Sequence, residues 1–111
     1  TEEPYSGKYC NYFKSGIYLC ICCETPLFSS KSKIKSGGGW PDFKESLDSK
    51  LIKYVQEDKS NNSLEVKCNN CNSHLGHVFN DGPEPLGKRY WINSVALKFQ
   101  EESLWKNIKL F

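Results

Sequence analysis

The chain has 111 residues, 15 basic and 13 acidic side chains and a formal net charge of +2. That length supports one hydrophobic core and excludes two independent ones, and a charge so close to balance excludes a field strong enough to make nucleic acid or an anionic membrane the main partner. No apolar run approaches the roughly 18 to 20 residues of a membrane-crossing helix, and no apolar segment follows a basic start as in a secretory signal.

Residues 1–15 place Pro4 and Gly7 among aromatics without a helical period, which predicts an irregular arm that packs by its rings. The chain opens on Thr1 rather than on Met, so more sequence is expected before it. Residues 1–111 are taken as a single domain. Ile17, Tyr18 and Leu19 run into Cys20, and Leu27-Phe28 follows Pro26, which predicts two short strands around a metal-type turn. The permissive stretch Ser36-Gly37-Gly38-Gly39-Trp40-Pro41 reads either as backbone folded tightly around something or as a plain mobile loop. Residues 51–55 and 64–67 read as an antiparallel pair turned by residues 58–62. Three more β-like runs follow at residues 77–79, 89–92 and 95–99, broken by Asn80-Asp81-Gly82-Pro83 and near Asn93-Ser94. Residues 101–111 read as a terminal helical turn with Leu104 and Trp105 or Ile108 on one face. Short strands with Gly and Pro turns give a mainly β, antiparallel fold.

Six cysteines carry most of the chemistry. Cys20 and Cys23 form one CxxC and Cys68 and Cys71 a second, and each spacing lets two thiolates point at a common centre from one tight turn. Two such knuckles predict a four-cysteine structural zinc site that would substitute for part of the core a small chain lacks. Iron in a rubredoxin-like site and two disulfides are the alternatives, though a CxxC disulfide is a strained ring and a poor staple. Cys22 lies inside the first knuckle, and CxxC symmetry argues against it as a ligand. Cys10 reads as a small buried apolar residue or as a redox thiol. Downstream, His74, His77 and Asp81 put two imidazoles and a carboxylate in one short segment, the equipment for general acid chemistry near neutral pH. Taken alone they read equally as further metal ligands or as satisfied core groups.

The run HLGHVFNDGP, then RYWINSVALKF, with SGGGWPDF, both CxxC pairs and the opening TEEPYSGKY, closely resembles the B-type methionine sulfoxide reductases, the peptide-methionine (R)-S-oxide reductases, from Thr1 to about Phe99. The resemblance implies two antiparallel sheets with zinc at one end and a catalytic face at the other, and a family N-terminal helical extension that this chain lacks. It implies a reductase that returns methionine-R-sulfoxide in oxidised peptides and proteins to methionine, with thioredoxin or another thiol as reductant. In the family, position 91 is a cysteine or selenocysteine that attacks the sulfoxide sulfur and becomes a sulfenic acid, which a second thiol converts to a disulfide. The resemblance assigns the acid role to His77, helped by His74 and Asp81, and has Arg89 and Asn93 favour the nucleophile's anionic form and orient the oxygen. Trp40 and Phe79 would wall in the substrate methyl group. A monomer in the cytoplasm or an organelle, without nucleic acid or membrane as partner, completes the expectation.

Position 91 is where the chain departs. Trp91 has no nucleophilic atom comparable to a thiolate, and its bulk is expected to fill the pocket, so this chain reads as inactivated. Gly38 stands where one common resolving cysteine would be, which leaves Cys10 as the internal substitute. A deliberate substitution, a recoded cysteine or selenocysteine codon and a natural pseudoenzyme each account for Trp91, and the intact set around it favours the first two. A methionine-sulfoxide reader and a non-catalytic zinc-ribbon module are the competing function classes.

Overall fold

Strand β1, Gly16–Cys20, is buried along its whole length, which is why its sequence is continuously apolar rather than alternating. It lies in a computed structural model that describes residues 14–34, 41–56 and 64–101. β1 is the centre of a three-stranded antiparallel sheet, between β2 (Pro26–Ser29) and the last strand, β9 (Leu97–Glu101). The remaining strands, β3 (Lys33–Ile34), β4 (Asp42–Phe43), β5 (Ile52–Val55), β6 (Leu64–Cys68), β7 (His74–Phe79) and β8 (Arg89–Ile92), form a six-stranded antiparallel sheet in the order β3-β4-β8-β7-β6-β5. The chain is thus mainly β with two antiparallel sheets, as expected, and the described residues hold no α-helix.

The two faces of the larger sheet have different contents because side chains alternate along a strand. Val66, Val78, Tyr90, Ile92 and Phe43 point to the core side and are buried. There Phe43 stacks on Phe28 with ring centroids 4.5 Å apart and meets Tyr18 edge-on at 5.1 Å, which joins the two sheets. Such rings contribute both area and about 0.5–1.5 kcal/mol per oriented pair. The opposite face carries Glu65, His77, Trp91 and Asp42.

A bulge shapes that face. Val66 pairs with Gly76, but Lys67 pairs with His74, so Leu75 is an extra residue in β7. Residues three apart on a regular strand point to opposite sides. The bulge shifts the phase by one, and His74 and His77 come to the same face with ring centroids 5.6 Å apart. Gly76 is required where β7 meets β8, because a Cβ there would lie 1.8 Å from the carbonyl oxygen of Trp91.

Several expected boundaries move. β7 begins at His74, three residues before the predicted run, since the bulge hides its alternation. Leu51 closes a 3₁₀ turn, Ser49–Leu51, whose start Asp48 caps by accepting the Lys50 N–H at 2.9 Å, so β5 starts one residue later. Val95 is not in a strand. It projects from a 3₁₀ turn, Ser94–Ala96, closed by the Ala96 N–H on Asn93 O, and is 74% exposed. The chain uses that turn to leave the larger sheet and join the smaller one. Glu101, read as the start of a helical turn, ends β9. The arm up to residue 13, the glycines 37–39, the turn at 58–62 and the terminal residues from 102 lie outside the described residues.

Candidate active site and metal centre

The two CxxC turns are built alike. In the first, the Cys20 N–H donates to Thr25 O (2.9 Å) and the Glu24 N–H to Cys20 O (2.8 Å). In the second, the Cys68 N–H donates to Ser73 O (3.0 Å) and the Asn72 N–H to Cys68 O (2.8 Å). Each chain reversal puts the fifth residue in the left-handed region, Glu24 at φ 61° and Asn72 at φ 69°. Each also brings a hydroxyl to the second sulfur, Thr25 to Cys23 at 3.1 Å and Ser73 to Cys71 at 3.3 Å. The result is a pair of equivalent half-sites facing one another.

The four sulfurs lie within 4.8 Å of one another, with Cys20–Cys71 and Cys23–Cys68 at 3.6 Å. Zinc–sulfur bonds of about 2.3 Å in a tetrahedron require sulfurs about 3.8 Å apart, so the set fits one zinc ion, and 3.6 Å is a non-bonded separation rather than a disulfide. Without a cation the four thiols are ill matched. Burial pushes Cys68 up to about 12 and also raises Cys20. At Cys23 burial works the same way, but the Thr25 hydroxyl and the Asn70 amide outweigh it and draw the thiol down to about 6. Cys71 is lowered by Ser73. A divalent ion removes that mismatch by stabilising all four as thiolates. Cys22 is exposed and outside the cluster.

Asn tolerates the left-handed conformation better than Glu does, so the first half-site holds strain that the second does not. Glu24→Gly is expected to stabilise the protein by about 0.5–1 kcal/mol. The ion pair it removes, Glu24 Oε1 to Lys98 Nζ at 3.5 Å, is exposed on both sides and contributes little. Thermal unfolding of the zinc-loaded proteins checks this; an unchanged or lowered midpoint would mean the positive φ carries no cost.

Beyond the second half-site, one row of the larger sheet runs Glu65, His77, Trp91, Asp42 on four adjacent strands, each residue directly opposite the next. Position 91 is therefore flanked by an imidazole on β7 and a carboxyl on β4. His74, at the edge of this row, brings Nδ1 within 2.7 Å of Glu65 Oε2, which fixes its ring. Arg89 shares the face, two residues before Trp91. Its Nε and Nη2 donate to the two oxygens of Asp81 at 2.9 and 2.8 Å, a bidentate pair that holds the Asp81 carboxyl below the usual carboxylate range. Its Nη1 lies 3.8 Å from Asp42 Oδ2. Its Cζ stands 4.3 Å from the centre of the Trp91 ring, and Phe79 meets the same ring edge-on at 4.7 Å. Asn93 is buried, and its backbone N–H donates to the bulged Leu75 O at 2.8 Å while Nδ2 reaches the same oxygen at a long 3.4 Å.

The structure thus gathers His74, His77, Phe79, Asp81, Arg89 and Trp91 at one place. It ties Asp81 to Arg89, and His74 to a carboxylate that the sequence reading did not single out. Glu65 and Asp42 are the additions; each is identified only by the residue across the strand from it. Trp40 and Cys10 lie outside the described residues. No described cysteine falls on β4, β7 or β8.

Three comparisons bear on this arrangement. The model of the SelR domain matches residues 1–101. The peptide methionine sulfoxide reductase MsrB of Photorhabdus laumondii subsp. laumondii is 50% identical over 104 residues, which span 93% of this chain and 76% of the relative. Among solved structures, the Mis18 'Yippee-like' domain superposes with a TM-score of 0.62 at 14% identity, over 79% of this chain and 97% of that one. At that identity the likeness concerns the fold alone.

Proposed function

The chain belongs to the SelR domain family, and from that premise we propose that the face around position 91 is where it meets methionine sulfoxide. By family it is a methionine-R-sulfoxide reductase, an oxidoreductase that draws electrons from a thiol reductant and carries one structural zinc ion in its four cysteines.

The observation that supports the site reading is the row across the sheet, in which His77 stands directly opposite position 91 and Arg89 lies over it. A sulfoxide has a negative oxygen on a positive sulfur, so reduction needs a nucleophile at sulfur and a proton at oxygen. His77 is placed to give that proton, with His74 beside it held by Glu65. Arg89, anchored on Asp81, supplies positive charge for an anionic nucleophile and for the oxygen. Asn93 helps orient the oxygen, and Phe79 with Trp40 encloses the methyl group, which selects one epimer. Cys10 is the internal thiol for resolving a sulfenic acid, and thioredoxin the external one.

Trp91 places this chain apart from an active reductase. Its indole lies under Arg89 and against Phe79, where a substrate side chain would sit. The reading is of a reductase site blocked at its nucleophile, in an intracellular monomer of the cytoplasm or an organelle that uses neither nucleic acid nor membrane; no helix among the described residues is long and apolar enough to cross a bilayer. Trp91→Cys tests the site assignment. Stereospecific reduction of a methionine-R-sulfoxide peptide by dithiothreitol is the expected result, and a folded but inert variant that binds no sulfoxide would leave a zinc module instead.

A further inference from the structure

Asp42 has no exposed side-chain surface, yet it sits on the same sheet face as position 91 and directly across the strand from it. The groups that face it come from four places. Arg89 on β8 is 3.8 Å away, Lys33 on β3 and Asp81 after β7 act at longer range, and His77 on β7 lies beyond Trp91 in the same row. Arg89 is consequently bracketed. Asp81 takes Nε and Nη2 on one edge, Asp42 faces Nη1 on the other, and the plane between them covers the ring of Trp91.

The charge state of this bracket depends on one proton. Asp81 is exposed and ionised, and it already neutralises the guanidinium. With Asp42 neutral, the three groups sum to zero. With Asp42 ionised they sum to minus one, next to the position where the reaction needs a negative nucleophile and a negative oxygen. Burial is the main influence on Asp42 and Arg89 opposes it, and together with Asp81 and Lys33 they leave its carboxyl pushed up to about 7. The balance therefore changes in the physiological range.

We propose that Asp42 is a positioning residue for the reaction: acting through Arg89, its buried carboxyl sets how much positive charge reaches position 91, and so how readily an anion is held there. This rests on the site reading above. The sign is definite. Below its folded pKa Asp42 is neutral and Arg89 acts on position 91 opposed only by Asp81; as pH rises through that value the site turns negative and anions at position 91 are disfavoured.

The zinc-loaded parent chain reports this directly through the indole N–H of Trp91, followed by NMR from about pH 5 to about pH 9 and assigned by its loss in Trp91→Phe. The expected result is a titration near neutrality that Asp42→Asn abolishes. A titration that survives unchanged in Asp42→Asn overturns the proposal, as does a signal that does not move in the parent. Asp42→Ser, uncharged and smaller, serves if Asp42→Asn fails to fold. On the Trp91→Cys background, Asp42→Asn should lower the pKa of the introduced thiol by about one unit, read as about tenfold faster alkylation at a fixed pH where little of the thiol is ionised. An unchanged thiol pKa also defeats the idea. Neither measurement needs turnover, so an inert Trp91→Cys would count against the site reading without touching this one.

Discussion

Replacing Trp91 by Cys is expected to raise sulfoxide reduction by on the order of 10³-fold or more over the parent, because a missing nucleophile removes the reaction path rather than one contribution to it. The substitution changes two things together. It supplies a thiol opposite His77 and beneath Arg89, and it clears the space that the indole occupies against Phe79. Trp91→Ser separates them, opening the same space without a nucleophile; it should bind the R-sulfoxide peptide and reduce nothing. Both variants lose the indole packing and the Arg89 contact over its face, so each should be less stable by about 1–3 kcal/mol. Arg89 keeps its place through the bidentate pair with Asp81. On the proposed site reading the opened space takes the substrate, so saturating sulfoxide should return part of that stability. Activity with chirally resolved peptides and thermal unfolding with and without ligand are the measurements. A Trp91→Cys protein that folds, binds the R epimer and still fails to reduce it would show that His77 and Arg89 do not serve the chemistry assigned to them.

Removing zinc is expected to unfold the chain rather than loosen it locally. Cys20 ends β1 in the small sheet and Cys68 ends β6 in the large one, and both are fully buried. The ion therefore joins the two sheets, and losing it leaves two thiols enclosed at a junction. Zinc in small Cys-rich peptides contributes roughly 10–16 kcal/mol of apparent binding free energy, well above the stability of a domain this size. Cys68→Ser, or a strong chelator at neutral pH, should abolish the β signal in circular dichroism. Cys22→Ser, which alters an exposed sulfur outside the cluster, should melt with the parent. A chelated chain that keeps a cooperative transition near the parent's would remove the metal from the stability argument.

What could be read in advance follows from how local each signal is. The knuckles were legible because two ligands three apart on one turn are a local pattern, and β1, β6 and β8 because burial leaves an apolar run or a strict alternation. The two-residue strands β3 and β4 are too short for any period, and with them went Asp42, whose place in the row is set by its pairing with Trp91 many residues away. Glu65 was missed for the same reason, since only the β6–β7 register sets it beside His74 and His77. Val95 has the residue type of a strand but the backbone of a turn. There a sheet-to-sheet crossing prevailed over β-branching.

The bulge at Leu75 has a consequence for how this segment can change length. From Cys71 to His77 the chain must satisfy two phases at once, closing the metal turn through Ser73 and presenting both histidines to one face. Deleting a single residue there would erase the bulge and rotate one imidazole into the core, while inserting one would pull the second half-site out of alignment with the first. Point substitutions away from Cys71, Gly76 and the two histidines can be absorbed one at a time, but the residue count of the stretch behaves as a gauge that keeps the metal turn and the two imidazoles in step.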